Sequence, residues 1–318
     1  MKRRAFVVGG ALWPWAAAAQ TARPMLRFVV PQAAGGTADA VARLLGERLE
    51  ARLGAVVVVD NRPGANGQIA TDIVRRAAPD GATLLLASTA THAMAPHTTP
   101  RPTFDPVRDF APIVNVAWQT KVVVASMAVP ATTLREFIAY ARANPGRLNY
   151  ASTGVGSSSH VDAELLASAT GMKLAHIPYR GSAHTVAALA ANEVQLLLAS
   201  VTAALGAIDA GHVRALAVLS ENRSPLLPRV PTAGEAGVQA PDLRTWIGLV
   251  APAGTPAEVV AAIGRAVDDT LGEAPVRSWL DRQGLEPIGG TPEAFAATIR
   301  ADVERWGGIV RKLGLHPA

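Results

Sequence analysis

The sequence predicts an α/β protein of about two domains. Three observations carry this expectation. Apolar runs of strand length alternate with segments of helical period. Gly, Pro, Asn and Ser punctuate the joins between them. The chain has 318 residues, 49% of them hydrophobic, which is more than a single core of usual size holds.

The elements follow in order. Leu26 to Val30 is a strand, and Thr37 to Leu53 is a helix with Val41, Leu44, Leu45 and Leu49 on one face and Gly54 just past its end. Val56 to Val59 is a buried strand, residues 61–67 are a turn, Ile69 to Ala78 is helical, and Leu84 to Leu86 is the next strand. Val122 to Ala125, Asn149 to Ser152, Leu174 to Ile177, Val194 to Leu198 and Val213 to Val218 supply five more strands with helices between them. Thr133 with Glu136, Thr232 with Glu235, and Thr255-Pro256 with Glu258 fit the capping box at helix starts. The sequence has no Gly/Ser linker, repeat or heptad run, so two domains would be joined by ordered crossings.

Composition and charge exclude several classes. Without cysteine there is no disulfide scaffold, zinc ribbon, iron–sulfur cluster or thiol nucleophile. The net charge of +5 suggests nucleic acid until its location is considered. Lys2, Arg3 and Arg4 open a segment with an apolar stretch from Ala5 to Ala16, followed by Ala17-Ala18-Ala19. This reads as a secretory signal peptide over residues 1–19, cleaved after Ala19. Its paired arginines also fit a twin-arginine signal loosely. The apolar part is too short for a span of about 20 residues. Cleavage leaves a formal charge of +2, and the nucleic-acid expectation lapses.

Two glycine-rich strand-to-helix junctions stand out. One is Pro31-Gln32-Ala33-Ala34-Gly35-Gly36-Thr37-Ala38-Asp39, and the other runs from Tyr150 through Ser152, Thr153, Gly154, Gly156, Ser157 and Ser158 to His160. The first turn of a helix offers unpaired N–H groups and a positive dipole end, and glycines admit a ligand close to the backbone. A single junction of this kind reads as a tight turn with a cap, whereas two, each longer than a cap requires, favour anion binding. Neither matches a dinucleotide or P-loop fingerprint, and a small carboxylate suits them better. The sequence lacks a Gly-x-Ser-x-Gly elbow, and Ser157 with His160 makes a poor triad. His92 and His97 lack the neighbours of a metal site, and His160, His176 and His184 read as structural. Arg62 either bridges to a carboxylate or faces an anion, and Tyr179 either offers its phenol to a cleft or packs.

These residues also lie in strings that resemble the Bug-type, TctC-like substrate-binding proteins of tripartite tricarboxylate transporters. The strings are PQAAGGTAD, VDNRPGANGQIA, APDGATLLLAS, FDPVRDFAPI, NPGRLNYASTGVGSSSH, HIPYRGS, VRALAVLSENRSPLLPRVPTAGEAG and WIGLVAPAGTP, in the family's order and spacing. The resemblance implies a two-domain periplasmic-binding-protein fold (Venus-flytrap, type II-like), each domain a mixed sheet flanked by helices. Residues 20–121 with 246–318 would form one domain and 122–245 the other, with crossings near Lys121 and Thr245. It implies a ligand-binding set of Gln32, Ala33, Ala34, Gly35, Gly36, Thr37, Ser88, Ser152, Thr153, Gly154, Gly156, Ser157, Ser158 and Tyr179. Asp39 and Arg62 would brace the loops, since a bare carboxylate aimed at an anion would repel it.

The implied function is capture of a carboxylate, amino acid or related metabolite in the periplasm and its presentation to the membrane subunits of a tripartite transporter. No catalysis, cofactor, metal or nucleic acid is implied, and chain length suggests a monomer. A sensor of the same fold, docking on a signalling receptor, is the alternative; a hydrolase would use Ser157 or Ser158. The chain departs from the family at Gln32, where an aromatic residue is usual, at Ala82, and at Asn192-Glu193 in place of a glycine. The first departure bears on the ligand, and Asn192 can hold a left-handed turn.

Overall fold

The computed structural model describes residues 23–240 and 242–315. The expected signal peptide, residues 1–19, lies outside them. The first half of the chain gives β1 (Met25–Val30), α1 (Thr37–Leu53), β2 (Val56–Asn61), α2 (Gln68–Arg75), β3 (Thr83–Ser88), α3 (Ala95–Thr98), β4 (Phe110–Gln119), β5 (Lys121–Ser126) and α4 (Leu134–Ala143). The second half gives β6 (Leu148–Ser152), α5 (Ser158–Thr170), β7 (Leu174–Pro178), α6 (Ser182–Ala190), β8 (Leu196–Ser200), α7 (Val201–Asp209), β9 (Val213–Val218), β10 (Thr245–Pro252), α8 (Ala257–Gly272), α9 (Ala274–Arg282), β11 (Leu285–Gly289) and α10 (Pro292–Lys312).

The strands form two mixed sheets, ordered β11-β4-β10-β3-β1-β2 and β7-β6-β8-β5-β9. The two share one plan. In the first, β1 lies parallel between β2 and β3, while β10 runs antiparallel between β3 and β4. In the second, β6 lies parallel between β7 and β8, while β5 runs antiparallel between β8 and β9. Each antiparallel insert is the strand that has just arrived from the other sheet, because β4 leads directly into β5 and β9 into β10. This is the two-domain, type II-like binding-protein architecture.

Local chemistry explains most element ends. α1 buries Val41, Leu45 and Leu49 on one face and stops at Gly54, whose φ of 61° is left-handed. Thr133 and Glu136 close a full capping box on α4. The Thr232–Glu235 pair forms both capping bonds, at 2.8 and 3.1 Å, but a run of turns follows instead of a helix. Gly234 and Gly237, the latter at φ 68°, disfavour continuation. Thr255 does not cap α8 as expected; its hydroxyl donates to Pro252 O at 2.8 Å, and Pro256 takes the cap position. Asn192 adopts φ 59°, so the turn lacking the usual glycine survives.

Three strands were not foreseen. β4 contains Pro112 and pairs with β10 through two register shifts, which blurs the period-two pattern. β10 is buried along its whole length between β3 and β4, so it shows no alternation at all. β11 is five residues at the sheet edge. β8 begins two residues later than the expected Val194.

Apolar clusters cover both faces of each sheet. Phe28, Leu45, Leu84 and Leu249 fill one face of the first, and Val29, Leu85, Trp246 and Phe295 the other. Tyr150, Phe137, Leu166 and Leu198 fill one face of the second, with Val122, Leu189 and Leu197 opposite. α10 serves both: Phe295 and Ile299 pack on the first sheet, whereas Trp306 and Val310 join the second sheet's cluster. Trp246 on β10 is tied to this helix, since its indole donates to Asp302 at 2.7 Å and its backbone N–H to Thr89 at 2.9 Å. At the other crossing Lys121 pairs with Asp162 in full burial.

Candidate functional site: two matched loops at the strand ends

The shared sheet plan places the β1–α1 and β6–α5 loops at equivalent positions. Each lies at the carboxyl end of the strand flanked by its two parallel neighbours. Open α/β sheets bind ligands there, because chain connections diverge and leave a crevice beside helix N-termini.

The first loop is shaped by its own backbone and by Asp39. Gly35 has φ 84°, and its N–H donates to Asp39 Oδ2 at 2.9 Å. Arg43 reaches the same oxygen at 3.0 Å. Burial opposes charge on Asp39, but the bonds from Arg43 and Gly35 outweigh it and hold the carboxyl below its ordinary range. Gly36 occupies the N-cap of α1, where among the described residues no side chain caps the helix. The first-turn N–H groups of Thr37 and Ala38, which no helix pairs internally, thus also lack a side-chain cap. Gln32, Ala33, Ala34 and Gly35 are exposed, and Gln32 Oε1 would lie 3.6 Å from a Cβ placed on Gly36. Asn61 Nδ2 secures the base of the loop by donating to Gln32 O at 3.1 Å.

The second loop is held more tightly. The buried Ser152 hydroxyl donates to Gly154 O at 3.0 Å and accepts the Gly154 N–H at 3.1 Å. His176 Nε2 contacts the same oxygen. Ser157 caps α5 by accepting the His160 N–H at 3.4 Å, and the Thr153 N–H donates to Ser159 Oγ at 3.0 Å. Thr153 is exposed and Ser158 half-buried at the first turn of α5.

The remaining expected residues fall as follows. Ser88 ends β3 and caps the following π-helical turn by accepting from Thr91 N. Tyr179 donates its backbone N–H to Ser152 O at 2.8 Å, while its phenol donates to Glu193 at 3.2 Å. Burial and Glu193 both raise that phenol's pKa. Arg62 pairs with Asp60 at 2.8 Å, and Arg27 shares that carboxylate. Burial alone would raise Asp60, but the hydrogen bonds from Arg27 and Arg62 bring it below its ordinary range.

Two residues outside the expected set reach the tip of the second loop. Asn66, at φ 51°, donates to Val155 O at 3.4 Å, and Thr98 Oγ1 donates to Gly156 O at 2.9 Å. Gly67, next to Asn66, approaches Pro31 so closely that a Cβ would lie 3.3 Å from it. The 64–67 turn thus connects the base of the first loop to the tip of the second. A cavity of about 560 Å³ opens there, lined by Ala65, Asn66, Thr98, Val155, Gly156 and His160 among others; the first loop does not line it. The left-handed Ala-Asn-Gly turn was readable as a motif. The Thr98 bond was not, since 58 residues separate its partners.

Known proteins share this architecture. Residues 41–315 match the model of the tripartite tricarboxylate transporter family receptor, TctC. The chain belongs to the TctC family. BugT of Bordetella pertussis is similar to it, 34% identical over 95% of this chain and 92% of its own. A Pseudomonas sp. protein from a tcbD–tcbE intergenic region is 37% identical over 92% and 87%. Among solved structures, an R. palustris protein with adipate superposes at TM-score 0.86 with 33% identity, covering 92% of this chain and 98% of its own. MatC of Rhodopseudomonas palustris with bound malate gives 0.81 with 31% identity over 90% and 98%. This TctC-family protein is a solute-binding protein.

Proposed function

We propose that the protein captures a small carboxylate between its two loops, in a cleft flanked by domains 20–121 with 246–318 and 122–245. The observation that carries this reading is the equivalent placement of two glycine-containing helix starts, the first with no side-chain cap. Backbone dipoles and N–H groups there favour negative charge. The nearby cations Arg43, Arg62 and Arg27 are paired with Asp39 and Asp60, so ligand charge would rest on the backbone. Similar structures that hold adipate and malate support a carboxylate.

In this reading residues 1–19 direct export and are removed, the protein works in the periplasm as a monomer without catalysis, and the loaded form is read by membrane subunits of a tripartite transporter. The similar periplasmic binding protein BugD supports that location. The test is a thermal-shift series on residues 20–318 with adipate, malate and their diamides. A ligand bound only by the folded state stabilises it by mass action, by about 2.7 kcal/mol at a hundredfold excess over Kd, and so raises Tm. The expected result is a shift with an acid and none with the diamides; a shift with the diamides alone would overturn the carboxylate reading.

A further inference from the structure

Beneath the second loop three rings with near-parallel planes cluster around His176, and the solute-binding reading leaves them without a role. His160 of α5 lies on His176 of β7 with centroids 4.0 Å apart and planes 12° from parallel. Tyr150 of β6 lies beside the pair, 5.0 Å from His176 and 6.3 Å from His160. Both histidines end in loop contacts. The Gly156 N–H donates to His160 Nδ1 at 3.1 Å, so that nitrogen must carry a lone pair. The Ser152 hydroxyl has one proton, given to Gly154 O, so the contact with His176 Nε2 is satisfied when Nε2–H donates to Ser152 Oγ.

We propose that neutral His160, supported by His176, positions the ligand loop Ser152–Ser158, and that protonating His160 releases the loop and weakens ligand binding. The inference rests on the loop's role in binding proposed above. Protonation places a hydrogen on Nδ1, which turns the acceptor of the Gly156 N–H into an opposing donor. Gly156 O remains held by Thr98, so the strain falls on the Gly154–Gly156 turn. A charge on both stacked rings at 4.0 Å is opposed by mutual repulsion.

The surrounding groups favour the neutral form. Burial lowers the pKa of His160. Burial, then the proximity of His160, brings His176 down to about 4, with Glu164 acting in the other direction. Glu164 of α5 also accepts the Tyr150 phenol. Asp162, two residues along α5 from His160, is paired with Lys121 of β5. Across the cavity His160 meets the uncharged Asn66, Thr98 and Leu315.

The test uses nitrogen-15-labelled mature protein and two variants. His160→Asn keeps an acceptor at the position of Nδ1 but does not titrate, and His160→Ala removes the acceptor. In wild type the Gly156 amide should lose exchange protection with the same midpoint as the His160 ring, whereas in His160→Asn it stays protected. Adipate affinity should fall at least tenfold more in wild type than in His160→Asn across that midpoint, the acid's own titration cancelling in the ratio. His160→Ala should bind weakly at every pH. A Gly156 amide whose protection ignores the His160 titration sinks the proposal, as does an unchanged affinity ratio once the amide has been released. If adipate binds at no pH, the carboxylate reading fails for that acid, and the wild-type amide titration alone decides the positioning role.

Discussion

Gly36 is a residue at which a single substitution should separate binding from folding. Gly36 sits at φ −81°, which any residue adopts, and a Cβ there meets only ordinary contacts at 3.5 and 3.6 Å. Gly36→Val should therefore leave the Tm of the ligand-free protein within about 2 °C while cutting affinity by about tenfold or more, measured by calorimetry. A large fall in Tm would make the loop a structural turn. Asn66→Ala removes one hydrogen bond to Val155, worth about 0.5–1.5 kcal/mol, and also places an alanine at φ 51°, so affinity should weaken about two- to tenfold and Tm should fall with it. Arg62→Ala breaks a half-exposed pair with Asp60, so it should cost at most about 1 kcal/mol of stability and leave binding intact. Lost binding with an unchanged melt would place Arg62 on the ligand.

At the scale of elements, the caps distinguish the two helix starts at the site. α5 has Ser157 as its cap, whereas α1 begins at Gly36 with its donors open. The capping box of α4 is a control remote from the loops: Thr133→Ala should destabilise by about 1 kcal/mol and lower Tm by about 2–4 °C without changing affinity. The sequence revealed this box because its two residues are three apart. It misplaced a helix at Thr232 because the same local bonds form on a turn that glycines then end. It missed β10 because a strand buried on both faces has no alternation to read.

For the whole molecule, acid should reveal the buried histidines. His92 is enclosed by Phe104, Phe110 and Trp246, and burial brings its pKa from 6.5 down to about 3. The unfolded chain takes up that proton first, so the unfolded state binds more protons as pH falls from 6.5 toward 3. Stability is therefore lost over that window. The urea midpoint of wild type, compared with that of His92→Phe, should fall steadily between pH 6.5 and 4. Taking the difference removes the opposite contribution of Asp302, whose pKa burial raises. A flat difference would mean that His92 takes up its proton equally in the folded and unfolded states.

α10 spans both cores. Phe295 and Ile299 pack on the first sheet, whereas Trp306 and Val310 pack with the second sheet's cluster. The α/β class, the two glycine-rich loops, the capping box of α4 and the family were legible in the chain, because each is written in residues close together along it. Tertiary contacts alone show that the loops are equivalent, that Asn66 and Thr98 reach the tip of the second loop, that His160 and His176 stack beneath it, and that α10 belongs to both cores. Those features depend on pairs that are distant in sequence, such as the 58 residues between Thr98 and Gly156, and local propensity carries no record of them.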